Sequence, residues 1–90
     1  MHMDVEWDSQ KASSNLKKHG VGFEEAVSAL LDPMALAQED SNSQQERRWV
    51  IIGLSAQGRL PTVIYTLREE ERIRLISARK STRQEAQHYA

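Results

Sequence analysis

The sequence contains no cysteine. Disulfides, thiolate-bound zinc or iron, and a thiol nucleophile are therefore all excluded. It also lacks any apolar run near the ~20 residues that a membrane span needs, and its opening, MHMDVEWD, has neither the basic region nor the apolar stretch of a secretory signal. A cytoplasmic protein with no membrane contact is the expectation. The three histidines, His2, His19 and His88, are far apart and carry no HExxH or paired-carboxylate spacing, so no metal site is expected. There is no GxSxG, and the four glycines form no glycine-rich turn between a strand and a helix. No cofactor is expected.

Charge of one sign is missing from one place. From Arg72 to Arg83 five residues are basic (Arg72, Arg74, Arg79, Lys80 and Arg83) and none is acidic. The formal net charge of −1 gives no support by itself to a nucleic-acid partner, but a near-neutral total can conceal a local positive field. Ordinary surface decoration is the competing reading.

With 90 residues, 39% of them hydrophobic, the chain has length for one small domain with a modest core. Val5–Trp7 fits a very short strand. Asp8 is placed to cap a helix over SQKASSNLKKH, which Gly20 stops, with Ala12 and Leu16 packing it and Lys11, Asn15 and His19 sharing a polar stripe. Phe23, Ala26, Val27, Leu30 and Leu31 follow helical spacing up to Asp32-Pro33. A short strand or extended connection over Met34–Leu36 then leads to an exposed loop over 38–47, and residues 1–4 are expected to be flexible. WVIIGLS, TVIYTL and RIRLISAR read as three antiparallel strands, and Ser81 or Thr82, with Glu85 close behind, opens a terminal helix. The expected fold is a small α+β domain: an antiparallel sheet, helices on one face, the other face open.

In a regular strand Arg72 and Arg74 share one face while Ile73 and Leu75 share the other. Strict parity sends Arg79 to the buried set, so a bulge intervenes or the strand has ended by then. Arginine forks fit phosphate oxygens, which makes Arg72, Arg74, Arg79, Lys80 and Arg83 candidate phosphate contacts. The duller alternative pairs Arg72 or Arg74 with the acidic run Glu69–Glu71. RNA can be cut without a metal when the ribose 2′-hydroxyl attacks the adjacent phosphate, given a base, an acid and cations over the developing charge. His19 is a candidate acid or base, or simply a helix C-terminal cap, and Lys11 a candidate phosphate contact. Tyr65 and Tyr89 are candidate base-stacking rings, with Tyr65 better suited to the core.

Trp7, Asp8, Lys11, Asn15, Lys18, His19 and Gly20, followed by FEEA, resemble the opening of BrnT-type toxins. Arg48 and Trp49, Ile52 and Gly53, Val63–Thr66, RIRLISARK and TRQE with Tyr89 continue that resemblance in order over nearly the whole chain. The resemblance implies one BrnT-like domain over residues 1–90 with a RelE-like fold. It implies the toxin of a type II toxin–antitoxin pair, a metal-independent endoribonuclease that cleaves RNA and inhibits translation. The implied partner is a ribbon-helix-helix antitoxin, two toxins binding two antitoxins, with operator DNA contacted through the antitoxin. Carried over, Arg79, Arg72, His19 and Lys11 are the expected catalytic residues, and Asn15, Arg48, Arg74, Lys80 and Arg83 the expected substrate contacts. Two departures stand out: Gly22 occupies a position where serine is common, and Glu46-Arg47-Arg48 shifts an acidic residue by one place. A non-enzymatic binding or co-repressor module is the competing class.

Overall fold

The computed structural model describes residues 4–40, 46–69 and 71–89. The first helix, α1 (Ser9–His19), follows its sequence signals: the Asp8 carboxylate accepts from the amides of Gln10 (2.8 Å) and Lys11 (3.3 Å). Gly20 closes it in the left-handed region at φ 72°, where a side chain is strained. Ala12 packs against the core as expected, but Leu16 is 53% exposed and does not. The second helix, α2 (Phe23–Leu30), starts at Gly22 with no side-chain cap; Glu24 and Glu25 in its first turn favour the helix dipole instead.

Five strands follow the order β1-β5-β4-β3-β2, with β1 (Val5–Glu6), β2 (Leu36–Glu39), β3 (Arg48–Ile52), β4 (Pro61–Arg68) and β5 (Arg72–Lys80). The β2–β5 set is antiparallel, whereas β1 runs parallel to β5, so the sheet is mixed rather than antiparallel throughout. Asp4, expected to be flexible, already anchors that entry: its carbonyl accepts from the Ile73 amide at 2.8 Å. Residues 1–3 lie outside the described residues. The expected 38–47 loop begins later, because Gln38 and Glu39 pair with Val50 and Trp49 in β2; its residues 41–45 lie outside the described residues.

Register assigns the faces. Ile51, Val63 and Ala78 form one row, and with Leu75 they pack under Val21, Phe23, Ala26 and Leu30 of the helical layer. Trp7 meets Phe23 edge-on, ring centroids 5.9 Å apart. Gly53 allows α2 to approach: a Cβ there would sit 2.3 Å from the carbonyl oxygen of Ala29. A half-buried ion pair ties the helices to the β3–β4 connection. The Arg59 guanidinium holds both oxygens of Glu25 and the carbonyl of Gly20 (3.0 Å), and Ser55 Oγ donates to Glu25 at 2.8 Å.

The other face is not wholly open. The third helix, α3 (Arg83–Tyr89), lies over its β2–β3 end, on the opposite side from α1 and α2. Thr82 and Glu85 form the expected reciprocal cap, Thr82 N–H to Glu85 Oε1 at 2.9 Å and Glu85 N–H to Thr82 Oγ1 at 3.1 Å. At its far end the Tyr89 hydroxyl donates to Asp32, which also accepts from the amides of Met34 and Leu54.

Candidate functional site

Cross-strand pairing steps from Ile64–Ser77 to Tyr65–Leu75, so Ile76 is an extra residue, a bulge in β5. Its consequence is a reversal of parity. Leu75 and Ala78 are both buried on the helical side, three positions apart, and Arg79 rotates onto the face that already carries Arg72 and Arg74. Arg48 lies on that face too, in a row with Thr66 and Arg74, and Arg68 stands directly opposite Arg72. Like charges set opposite one another are unfavourable in a sheet unless an anion offsets them. Arg68 was not among the sequence candidates. Its β4–β5 register is what exposes it, and no motif in TLREEER carries that signal.

Carboxylates organise these cations. Arg79 grips Glu85 bidentately, Nη1 to Oε1 at 2.7 Å and Nη2 to Oε2 at 2.9 Å. The Arg79 guanidinium holds the Glu85 carboxyl down at a pKa of about 2, with the Thr82 amide and Thr62 hydroxyl (3.1 Å) adding to the effect. Glu85, foreseen as a cap residue, is thus also the partner of the leading candidate arginine. Arg74 Nη1 donates to Glu6 at 2.7 Å, and that contact lowers the Glu6 pKa. Arg72 lies 3.4 Å from Glu6 and 3.8 Å from Glu69, so its pairing across the turn is real but loose. Arg48 lies 3.4 Å from the displaced acid Glu46. Arg47 instead holds Glu39 bidentately (2.9 and 3.1 Å) and lies over Trp49, 5.4 Å from the ring centroid.

Asn15 does not belong with the substrate contacts. It is 7% exposed, and its amide is spent on backbone: Nδ2 donates to Val21 O (2.9 Å) and Ala78 O (2.8 Å), and Oδ1 accepts from the Ala78 N–H (3.1 Å). The side chain thereby substitutes for a neighbouring strand, since β1 pairs only with Ile73 and Arg74 of β5. Lys11 and His19 lie one helical turn either side of Asn15 on α1. Lys11 is exposed, and His19 is half-buried in a basic last turn that suits the helix C-terminus.

The remaining candidates are dispersed. Lys80 pairs with Pro61, which turns it toward the helical side, and Arg83 is exposed at the start of α3. Tyr65 stacks on Trp49 (6.0 Å, 15°) and packs against the core, while Tyr89 is committed to Asp32. Arg48, Arg72, Arg74 and Arg79 therefore converge on one face, Lys11 and His19 stand on α1, which packs against β5, and Asn15 is structural. Among the described residues no group of three or more metal-ligating side chains is found.

The family described as "Ribonuclease toxin, BrnT, of type II toxin-antitoxin system" matches residues 7–85. Among solved structures, the crystal structure of the Brucella abortus ribonuclease toxin, BrnT, superposes with a TM-score of 0.61 at 24% identity, covering 91% of this chain and 100% of that one. That likeness shows a shared fold. A comparison with curated proteins gives no match. The family match reaches from Trp7, beside the cap of α1, to Glu85, the partner of Arg79, and the chain belongs to the BrnT family of ribonuclease toxins of type II toxin–antitoxin systems.

Proposed function

We propose that this chain is a toxin that cuts RNA endonucleolytically and arrests translation until a cognate antitoxin binds it. The observation that carries the reading is the bulge at Ile76, which gathers Arg72, Arg74 and Arg79 on one sheet face. The reaction we infer needs no metal. A ribose 2′-hydroxyl loses its proton to a base and attacks the adjacent phosphorus. The 5′-oxygen leaves with a proton from an acid, and a 2′,3′-cyclic phosphate remains.

Arg79 is the cation assigned to the phosphorane. Its Nη1 and Nη2 are directed by Glu85, leaving Nε–H and an outer Nη2 hydrogen for phosphate oxygens. Glu85 acts here as a positioning residue. Arg72 and Arg74 hold a neighbouring phosphate, with Arg48 further along the same row. His19 is assigned a proton-transfer role and Lys11 a phosphate contact, both from α1. The antitoxin is inferred to be a ribbon-helix-helix protein, bound two to two and carrying the operator DNA contact.

The internal pairing of Arg74 with Glu6 and Arg79 with Glu85 favours a second reading, a non-enzymatic binding or co-repressor module whose arginines are structural. Cleavage decides between them. Purified protein incubated with RNA in the presence of chelator is expected to give products ending in cyclic phosphate. Arg79→Ala should lower the cleavage rate by about 100-fold or more with the circular dichroism spectrum unchanged. Intact RNA with folded wild-type protein, alone and with ribosomes, would remove the enzymatic reading.

A further inference from the structure

Beneath α3, on the same face as Arg79, lies a cleft of about 410 Å³. Leu36, Val50 and Ile52 form its floor, Glu85 and His88 of α3 one wall, and Gln38 of the edge strand β2 the other. We propose that this cleft seats a nucleobase of the RNA, adenine by preference, belonging to a nucleotide whose phosphate rests on Arg79. The inference rests on the RNA-cleaving reading above and adds the subsite that would give it sequence preference.

Three features argue for a base. The first is continuity: Glu85 walls the cleft and is also the carboxylate gripped by Arg79, so the base seat and phosphate seat adjoin through one side chain. The second is size and surface. Small-molecule pockets begin at about 300 Å³, and branched aliphatic side chains present a flat apolar floor suited to the face of a heteroaromatic ring. The third is the rim. Gln38 and His88 border the cleft, and among the described residues neither makes a side-chain hydrogen bond or ion pair that would compete with a ligand. A glutamine amide sets a donor beside an acceptor and matches the N6/N7 edge of adenine. The α3 wall is itself fixed at both ends, by Glu85 and by Tyr89 on Asp32, which preorganises the cleft.

Methyl-labelled full-length protein can be titrated with adenosine 3′-monophosphate, cytidine 3′-monophosphate and ribose 5-phosphate, following the methyl resonances of Val50 and Ile52. Both nucleotides are expected to shift these methyls, adenosine at lower concentration, while ribose 5-phosphate leaves them in place. Gln38→Ala, on an exposed edge strand, should remove the adenosine advantage, a loss of at least about fivefold. Val50→Trp should fill the floor and abolish the shifts; where that variant loses its fold, Gln38→Ala still decides. Absent shifts, or equal shifts with ribose 5-phosphate, overturn the base seat. Cleavage of RNA is scored on the same sample: cutting with a silent cleft overturns the seat alone. A responsive cleft with no cutting, alone or with ribosomes, upholds base binding and overturns the nuclease.

Discussion

Asn15 shows how much one side chain can decide. Its position one turn from both Lys11 and His19 makes it look like part of a catalytic stripe, yet it answers the backbone groups of Ala78 that β1 is too short to reach. Asn15→Ala removes the partner of the Ala78 N–H, the Ala78 C=O and the Val21 C=O, so we expect a loss of about 3 kcal/mol or more in urea unfolding, since each unsatisfied buried group costs about 1–3 kcal/mol. A change under about 0.5 kcal/mol would show that water fills the gap. Glu85 makes a second residue-scale prediction. Its pKa falls from an ordinary carboxyl value of 4.5 to about 2 on folding. The stabilisation is therefore complete above pH 4.5 and is lost as pH falls from there toward 2. Glu85 is partly exposed, and solvent screening leaves on the order of 2 kcal/mol. The stability gap between wild type and Glu85→Gln should be wide at pH 7 and should narrow at pH 3. A gap independent of pH would mean that the pair contributes through packing alone.

At the scale of elements, local signals were legible and long-range ones were not. Asp8 and Gly20 mark both ends of α1 in the sequence, because capping is settled by the chain within a few residues. The alternation in RIRLISARK foretells a strand, and its failure at Arg79 foretells an irregularity. Placing the extra residue at Ile76 requires knowing how β4 pairs with β5. The parallel docking of β1, the move of α3 to the opposite face and the Arg79–Glu85 grip all depend on contacts between distant or newly juxtaposed elements. Hydrophobic periodicity does not encode them. Leu16 marks the same limit: it follows helical spacing, but α1 turns Asn15 toward β5 and leaves Leu16 outside. Gly53 makes the contact between elements testable. Gly53→Ala drives a Cβ into the carbonyl of Ala29, and backbone on both sides must move. We expect α2 to separate from β3 at a cost of about 1–3 kcal/mol in thermal or urea unfolding, as for overpacking in a core. A neutral result would show that the α2–β3 junction is compliant.

For the molecule as a whole, a net charge of −1 means that bulk electrostatics will not draw RNA to it. Attraction must come from one face, where Arg48, Arg68, Arg72, Arg74 and Arg79 face outward against the acids Glu6 and Glu85. Along β4, Thr62 opposite Arg79 and Thr66 opposite Arg74 are four residues apart, about 13 Å at strand rise, a span of roughly two phosphate intervals. A strand of RNA laid along that direction would therefore meet two cationic ends with the apolar residues Val50 and Ile64 between them. Binding to a short single-stranded RNA should then fall with salt at a log–log slope of roughly −1.4 where Arg72 and Arg74 share one phosphate and roughly −2.1 where each takes its own, each neutralised phosphate contributing about 0.7. Arg72→Ala combined with Arg74→Ala should reduce the magnitude of that slope by about 0.7 where the two share one phosphate and by about 1.4 where each takes its own. Fluorescence anisotropy across a salt series measures it. An unchanged slope in the double variant would confine these arginines to their pairing with Glu6 and leave Arg79 as the cation that binds RNA.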